Sequence, residues 1–201
     1  ETLSRDKLKH FFDRITQSGN RLLRLVSNIL DMSKFESGTM ELIRTTHELN
    51  STIQIAIDEL EPYSKDHKVD IIFNKYTKAT LAMIDQDLVI QVIHNLLTNA
   101  IKHSKPENEV NIELTFGAKK FAGKEFAGTI VSIRDHGPGI PEDELNSIFD
   151  FYYQSSNNLN RKDSFGLGLG ICKQIIEAHN GFIWAENHPE GGAVFSFIVC
   201  S

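Results

Sequence analysis

The chain has 201 residues, a formal net charge of −6 and 40% hydrophobic residues, enough for one full domain with an appendage and a real core. The mildly acidic balance excludes the basic footprint expected of a nucleic-acid binder. No apolar run approaches the ~18 residues of a membrane span, the opening residues do not read as the basic-plus-apolar pattern of a signal peptide, and Cys172 and Cys200 form neither a metal spacing nor a disulfide framework. A reducing cytoplasm is the expected setting. The opening ETLSRDKLKHFF lies inside a helical pattern and has no initiator Met, as expected of a fragment.

From Glu1 to Phe35 the apolar residues Leu8, Phe11, Ile15, Leu22, Leu25, Ile29 and Met32 follow a three-four alternation, broken only at Ser18. That is a heptad seam, and Phe12, Leu23, Val26 and Leu30 widen it into the stripe of a bundle helix. One helix cannot bury such a stripe, so it needs a partner helix or a second copy. Ser37-Gly38 ends it. An extended piece, Glu41–Thr46, leads to a helix capped by Asn50 or Ser51 and carrying Ile53, Ile57, Leu60 and Tyr63. Two short strands, Val69–Phe73 and Thr80–Ile84, precede a central helix, Asp85–Ser104. Two further strands, Val110–Phe116 and Thr129–Arg134, alternate apolar and polar residues. The Gly- and Lys-rich GAKKFAGKEFAG between them reads as a surface hairpin loop.

A Gly-Pro turn (Asp135–Pro141) is followed by a short helix to Phe149 and an aperiodic polar stretch, Gln154–Ser164. The last helix runs from about Leu167 to His179 and stops at Asn180-Gly181. Strands Phe182–Ala185 and Ala193–Cys200 finish the chain. This order predicts an α+β fold: a two-layer sandwich in which a mixed sheet is covered by three helices, preceded by the long bundle helix. The domain boundary falls between 1–40 and 41–201.

The central helix carries the first chemical signal. Val89, Val92, Ile93, Leu96, Leu97 and Ala100 mark its buried face, with Asp85 at the N-cap. Gln91, Asn95, Asn99 and Lys102, at offsets of four, four and three, share a stripe beside it. Carboxamide oxygens can ligate a hard cation, and an ammonium can neutralise phosphate. A plain solvated face would show the same pattern. The second signal is Asp135-His136-Gly137-Pro138-Gly139 after a strand, where a carboxylate can accept from an exocyclic amine while glycines let a flat ring approach. An ordinary turn also has this form. The third is Gly166-Leu167-Gly168-Leu169-Gly170 opening a helix, whose first amides suit phosphate, although any loop-to-helix junction can look alike. Gly191-Gly192 precedes the final strand. The joint occurrence in this order is far more specific than any one part.

This set resembles the ATP-binding catalytic domain of bacterial sensor histidine kinases, within the wider group of gyrase-, chaperone- and MutL-like ATPases. The N box is similar to Gln91–Ser104, the two glycine boxes to Asp135–Pro141 and Ser164–Ile171, and Arg21–Gly38 looks like the second dimerisation helix. The resemblance implies that Asp135 binds the adenine amino group, with Gly137, Gly139 and Ile140 shaping that pocket. It implies that Asn95 and Asn99 hold Mg²⁺ and phosphates, Lys102 meets phosphate oxygens, and Asn95 and Lys102 serve catalysis. Gly166, Leu167, Gly168, Leu169 and Gly170 would form the hinge of an ATP lid with body Gln154–Phe165. Tyr152, with Phe149 packing behind it, would match an aromatic box. The implied reaction carries the ATP γ-phosphate to a His on a dimerisation helix absent here, then to an Asp of a response regulator. The implied whole is a homodimeric phosphoprotein attached to membrane only through missing N-terminal parts.

Three departures stand out. Ser164-Phe165 replace the usual Gly and small residue, and Gln154 replaces an Arg for which Arg161 or Lys162 could substitute. No His has the phosphoacceptor's context; His10 lies off the seam, and His94, His103, His136 and His179 occupy positions the family leaves variable. Hydrolysing relatives carry a Glu where this chain has Asn95, and a carboxamide cannot activate water. An ATP-hydrolysing clamp and a degenerate, non-catalytic binding module are the alternatives. Nucleotide affinity and turnover separate them.

Overall fold

The computed structural model describes residues 5–37, 40–76, 78, 80–153 and 166–199. Gly38, the lid body with Gln154, Arg161, Lys162, Ser164 and Phe165, and Cys200 lie outside the described residues. The chain divides into two compact units, Glu1–Met40 and Glu41–Ser201. The first is one helix, α1 (Arg5–Glu36). Six of its large apolar side chains, Phe11, Phe12, Ile15, Leu22, Leu23 and Leu30, are more than half exposed, and Leu8, Val26 and Ile29 are nearly so. Among the described residues no helix is long and apolar enough to cross a membrane.

The second unit runs β1 (Thr45–Glu48), α2 (Leu49–His67), β2 (Asp70–Asn74), β3 (Leu81–Ile84), α3 (Gln86–His103), β4 (Glu109–Phe121), β5 (Lys124–Arg134), α4 (Gly168–Ala178), β6 (Phe182–Asn187) and β7 (Ala193–Val199). Five strands form one sheet in the order β2-β4-β5-β7-β6. Only β2 and β4 pair in parallel; the other neighbours are antiparallel, so the sheet is mixed. β1 and β3 make a separate antiparallel pair. With α2, α3 and α4 packed against it, this is the expected α+β sandwich.

α3 is the structural centre. Every apolar residue of its predicted face, from Val89 to Ala100, is fully buried, and Ile101 joins them at 1% exposure. Burying each of its Val, Leu and Ile side chains is worth roughly 1.5–3 kcal/mol, so this face anchors α3 between α2, α4 and the sheet. Asp85 caps it through Leu88 N, as predicted. Asp85 Oδ2 also accepts from Ile43 N at 3.0 Å. Behind that cap, buried His179 donates from Nδ1 to Ile175 O and accepts Asp85 N on Nε2, which fixes the neutral tautomer. Burial lowers the His179 pKa. A residue with no expected chemistry thus ties the end of α4 to the start of α3.

Four local expectations need correction. The cap of α2 is Glu48, not Asn50 or Ser51: its carboxylate accepts from Ser51 N at 2.8 Å, Ser51 Oγ at 3.0 Å, Thr80 Oγ1 at 2.9 Å and Asn50 Nδ2 at 2.7 Å. Burial pushes its pKa up, but these bonds outweigh burial and hold it at about 2. A long-range partner, Thr80, decides the cap. The strand before α2 begins only at Thr45, later than the extended piece from Glu41. The GAKKFAGKEFAG segment is strand, not loop; β4 and β5 pair without a break to Phe121 and Lys124. Phe121 and Phe126 both stack on Phe182, and the Lys119 ammonium lies 4.8 Å from the Trp184 ring centre, so aromatic neighbours override the glycines. The stretch 142–149 is a succession of turns, not a helix, held by Glu144 N to Pro141 O and Ser147 N to Glu144 O.

Candidate functional site

The end of β5 delivers Asp135, which is 3% exposed, into the turn that follows. Its Oδ1 accepts Gly137 N at 2.8 Å and Ala193 N at 3.1 Å, while its backbone N donates to Ala193 O at 2.9 Å. One oxygen is spent holding the turn. Oδ2 accepts no hydrogen bond among the described residues and is the atom available to an amine. The glycines around it are required by space. A Cβ on Gly137 would sit 2.8 Å from His103 O at the end of α3, and one on Gly192 would sit 1.9 Å from Asp135 O. Gly139 has φ +77° and its missing Cβ would meet Asn187 Oδ1 at 2.8 Å. Asn187 in turn binds both backbone atoms of Ile140, accepting its N–H at 2.8 Å and donating to its O at 2.7 Å. His136 Nδ1 is 2.8 Å from Glu109 O, which ties the turn to β4.

The second glycine array starts α4. Its N-cap is Leu167, with no side-chain cap among the described residues, so the amides of the first turn can serve water or a ligand. The array is less uniform than its sequence. A Cβ on Gly168 would lie 3.5 Å from Asn95 Oδ1, which puts this glycine beside the α3 stripe. Gly170 is buried against Phe151, whose ring carbon would be 2.6 Å from a Cβ, and Leu167 is 1% exposed in the core. Leu169 is half-buried. Gly166 has φ +68° and packs on the backbone of Tyr152 and Tyr153, and its O accepts Tyr152 N at 2.8 Å. That bond ties Tyr152 to the start of the second glycine array. Tyr152 is 63% exposed, and Phe149 packs edge-on to Phe195, 6.4 Å away.

Gln91, Asn95, Asn99 and Lys102 are all half-buried along α3. Asn95 faces the start of α4. Nearby Cys172 is a fully buried thiol that donates from Sγ to Val92 O at 3.9 Å. Burial pushes that thiol up to about 12, so Cys172 is an inert core group. Between Asn95, beside the uncapped helix start, and His103, beside the Asp135 turn, lie roughly 12 Å of helix at 1.5 Å per residue. Asn99 and Lys102 occupy that interval. The arrangement has an amine-accepting end, an anion-accepting end and a strip of carboxamides and an ammonium joining them. Among the described residues no group of three His, Cys, Asp or Glu could hold a metal ion. A hard cation here would rest on carboxamide oxygens and on ligand phosphates, the sparse protein shell that suits Mg²⁺.

Asn187 escaped the sequence reading. It sits at the end of a strand in no recognisable motif, and its partner Ile140 is 47 residues away. Ala193 was also missed, because it contributes only backbone.

Comparison with known proteins bears on the family and the fold. Residues 84–200 match the family described as histidine kinase-, DNA gyrase B- and HSP90-like ATPases. The sensor protein KdpD of Clostridium acetobutylicum is 31% identical over 200 residues, covering 99% of this chain and 21% of that protein. The sensor histidine kinase WalK of Bacillus subtilis is 31% identical over 190 residues, covering 94% and 30%. The chain therefore spans about a fifth to a third of the length of these relatives. Histidine kinase ThkA, solved in complex with response regulator protein TrrA, aligns with a TM-score of 0.71 at 29% identity over 98% of this chain and 52% of that one. Full-length ShkA in complex with AMPPNP gives a TM-score of 0.76 over 100% and 41%, and at 20% identity it shows the shared fold. With a match over more than half of its length, and an Asp135 turn and an uncapped α4 joined by α3, this chain belongs to the histidine kinase-, DNA gyrase B- and HSP90-like ATPase family.

Proposed function

We propose that this chain is the ATP-binding catalytic core of a sensor histidine protein kinase, with residues 1–40 the second helix of a dimerisation hairpin and 41–201 the catalytic domain. One observation carries the reading. α3 links a carboxylate turn with one open acceptor to a helix start with uncapped amides, and it carries two carboxamides and a lysine in between.

In this reading Asp135 Oδ2 accepts the adenine amino group, and Gly137, Gly139 and Ile140 let the ring lie flat on the turn. The first amides of α4 and Lys102 neutralise the phosphates. Asn95 and Asn99 hold Mg²⁺, which supplies charge neutralisation on the transferring phosphoryl group. Asn95 is no base, so the site positions the γ-phosphate rather than activating water, and an imidazole is the fitting nucleophile. Gly166, Gly168 and Gly170, with Leu167 and Leu169, form the phosphate-facing hinge of the lid, and Tyr152, which donates from its backbone N to Gly166 O, belongs to the aromatic box. The likeness to ThkA supports a response-regulator receiver domain as the onward acceptor, and the exposed stripe of α1 supports homodimerisation in a longer protein. Membrane attachment, where present, belongs to other parts of that protein.

Calorimetric titration of ADP and a non-hydrolysable ATP analogue, with and without Mg²⁺, tests the site. The expected result is saturable, Mg²⁺-sensitive binding with negligible ATP turnover. A folded chain that binds neither nucleotide would overturn the reading. Turnover of many ATP per minute, abolished by Asn95→Ala, would instead favour an ATP-hydrolysing clamp.

A further inference from the structure

We propose that Asn187, at the end of β6, is the positioning residue that fixes the base-recognising turn and so sets adenine specificity; this rests on the nucleotide reading above. Its carboxamide takes both hydrogen bonds of one peptide-flanking residue, Ile140 N–H at 2.8 Å and Ile140 O at 2.7 Å, as a neighbouring strand would. It also occupies the space beside Gly139, whose φ of +77° no ordinary side chain would share. The turn is thereby fixed at both ends: Asp135 Oδ1 holds Gly137, and Asn187 holds Ile140. Both anchors converge on one hairpin, since Ala193, bonded to Asp135, pairs directly with Asn187 across β6 and β7.

Asn187 is exposed, so water can take over its two bonds when the side chain is removed. The fold then loses little, but Gly139 and Ile140 gain freedom at the surface where a base would lie. Selection between an exocyclic amine and a carbonyl depends on Oδ2 of Asp135 lying at a fixed distance from the ring edge. Loosening the turn therefore erodes discrimination between bases more than affinity for phosphates.

The test titrates ADP and GDP into the wild-type chain, Asp135→Asn and Asn187→Ala, with thermal melting of each in the absence of nucleotide. Expected for Asn187→Ala is a melting temperature near wild type, ADP affinity down about tenfold, GDP affinity unchanged, and faster hydrogen exchange of the Ile140 amide. A role confined to folding would weaken both nucleotides alike and lower the melting temperature. That result, or ADP affinity within twofold of wild type while Asp135→Asn abolishes binding, overturns the inference and leaves the nucleotide reading standing. Absence of ADP binding by the folded wild type overturns both. Should Asn187→Ala fail to fold, Asn187→Asp, which keeps the acceptor for Ile140 N but opposes Ile140 O with a second acceptor, is held to the same criteria.

Discussion

The two glycine arrays look alike in sequence and work differently in space. In the Asp135 turn, the glycines clear room for a polar backbone lattice: Gly137 passes under His103 O, Gly139 adopts a positive φ beside Asn187, and Gly192 closes over Asp135 O. In the α4 array, each glycine answers to a different neighbour: Gly166 to backbone, Gly168 to Asn95, Gly170 to the Phe151 ring. Only Gly168 adjoins the polar stripe of α3. The first array is a single mechanical unit, the second a junction where packing and ligand approach share three positions. Glycine spacing alone does not distinguish the two.

Substitution separates the two arrays. Gly192→Ala should have the largest effect, since a methyl 1.9 Å from Asp135 O at φ +84° has nowhere to go. We expect a loss of about 4 kcal/mol or more, read as failure to fold or a collapsed denaturant midpoint. A near-native midpoint would show that the turn is looser than its contacts imply. Asp135→Asn keeps an oxygen for Gly137 N and Ala193 N but replaces the open acceptor with a donor. Adenine-nucleotide affinity should fall about 100-fold by calorimetry, with melting little changed.

Within the second array, Gly170→Ala and Gly168→Ala separate packing from site. Gly170→Ala crowds Phe151 and should cost about 1–3 kcal/mol of stability, a drop of roughly 2–10 °C in melting temperature. Gly168→Ala adds a methyl at ordinary contact distance from Asn95. It should leave stability within about 1 kcal/mol and reduce nucleotide affinity about tenfold. Equal behaviour of the two variants would show that both glycines serve the same purpose.

The smallest effect is shared by both arrays, because both hang on the α2–α3 layer. The folded pKa of Glu48 is depressed from 4.5 to about 2, so its contribution is complete above about pH 4.5 and is lost as pH falls toward 2. Glu48→Gln should flatten that part of the stability–pH curve without changing nucleotide affinity at neutral pH. Acid titration of denaturant midpoints for the two proteins measures it.

The α+β class, the buried face of α3 and the start of α4 were readable from the chain, because helical and alternating periodicities are local consequences of backbone geometry; the roles of Asp135, Asn95, Asn99 and Lys102 came only from the resemblance of their motifs. Motif order identified the family for the same reason: each box is a short segment whose glycines and polar residues act together. What tertiary structure alone decided involves partners far apart in sequence. Glu48 became a cap because Thr80 meets it, and the β4–β5 ribbon stayed extended because Phe182 and Trp184 lie across it. Gly170 became a packing glycine because Phe151 fills its side. Asn187 reached Ile140 because the β6–β7 hairpin folds back under the turn. None of these contacts has a period or a spacing; each exists only once the sheet has closed.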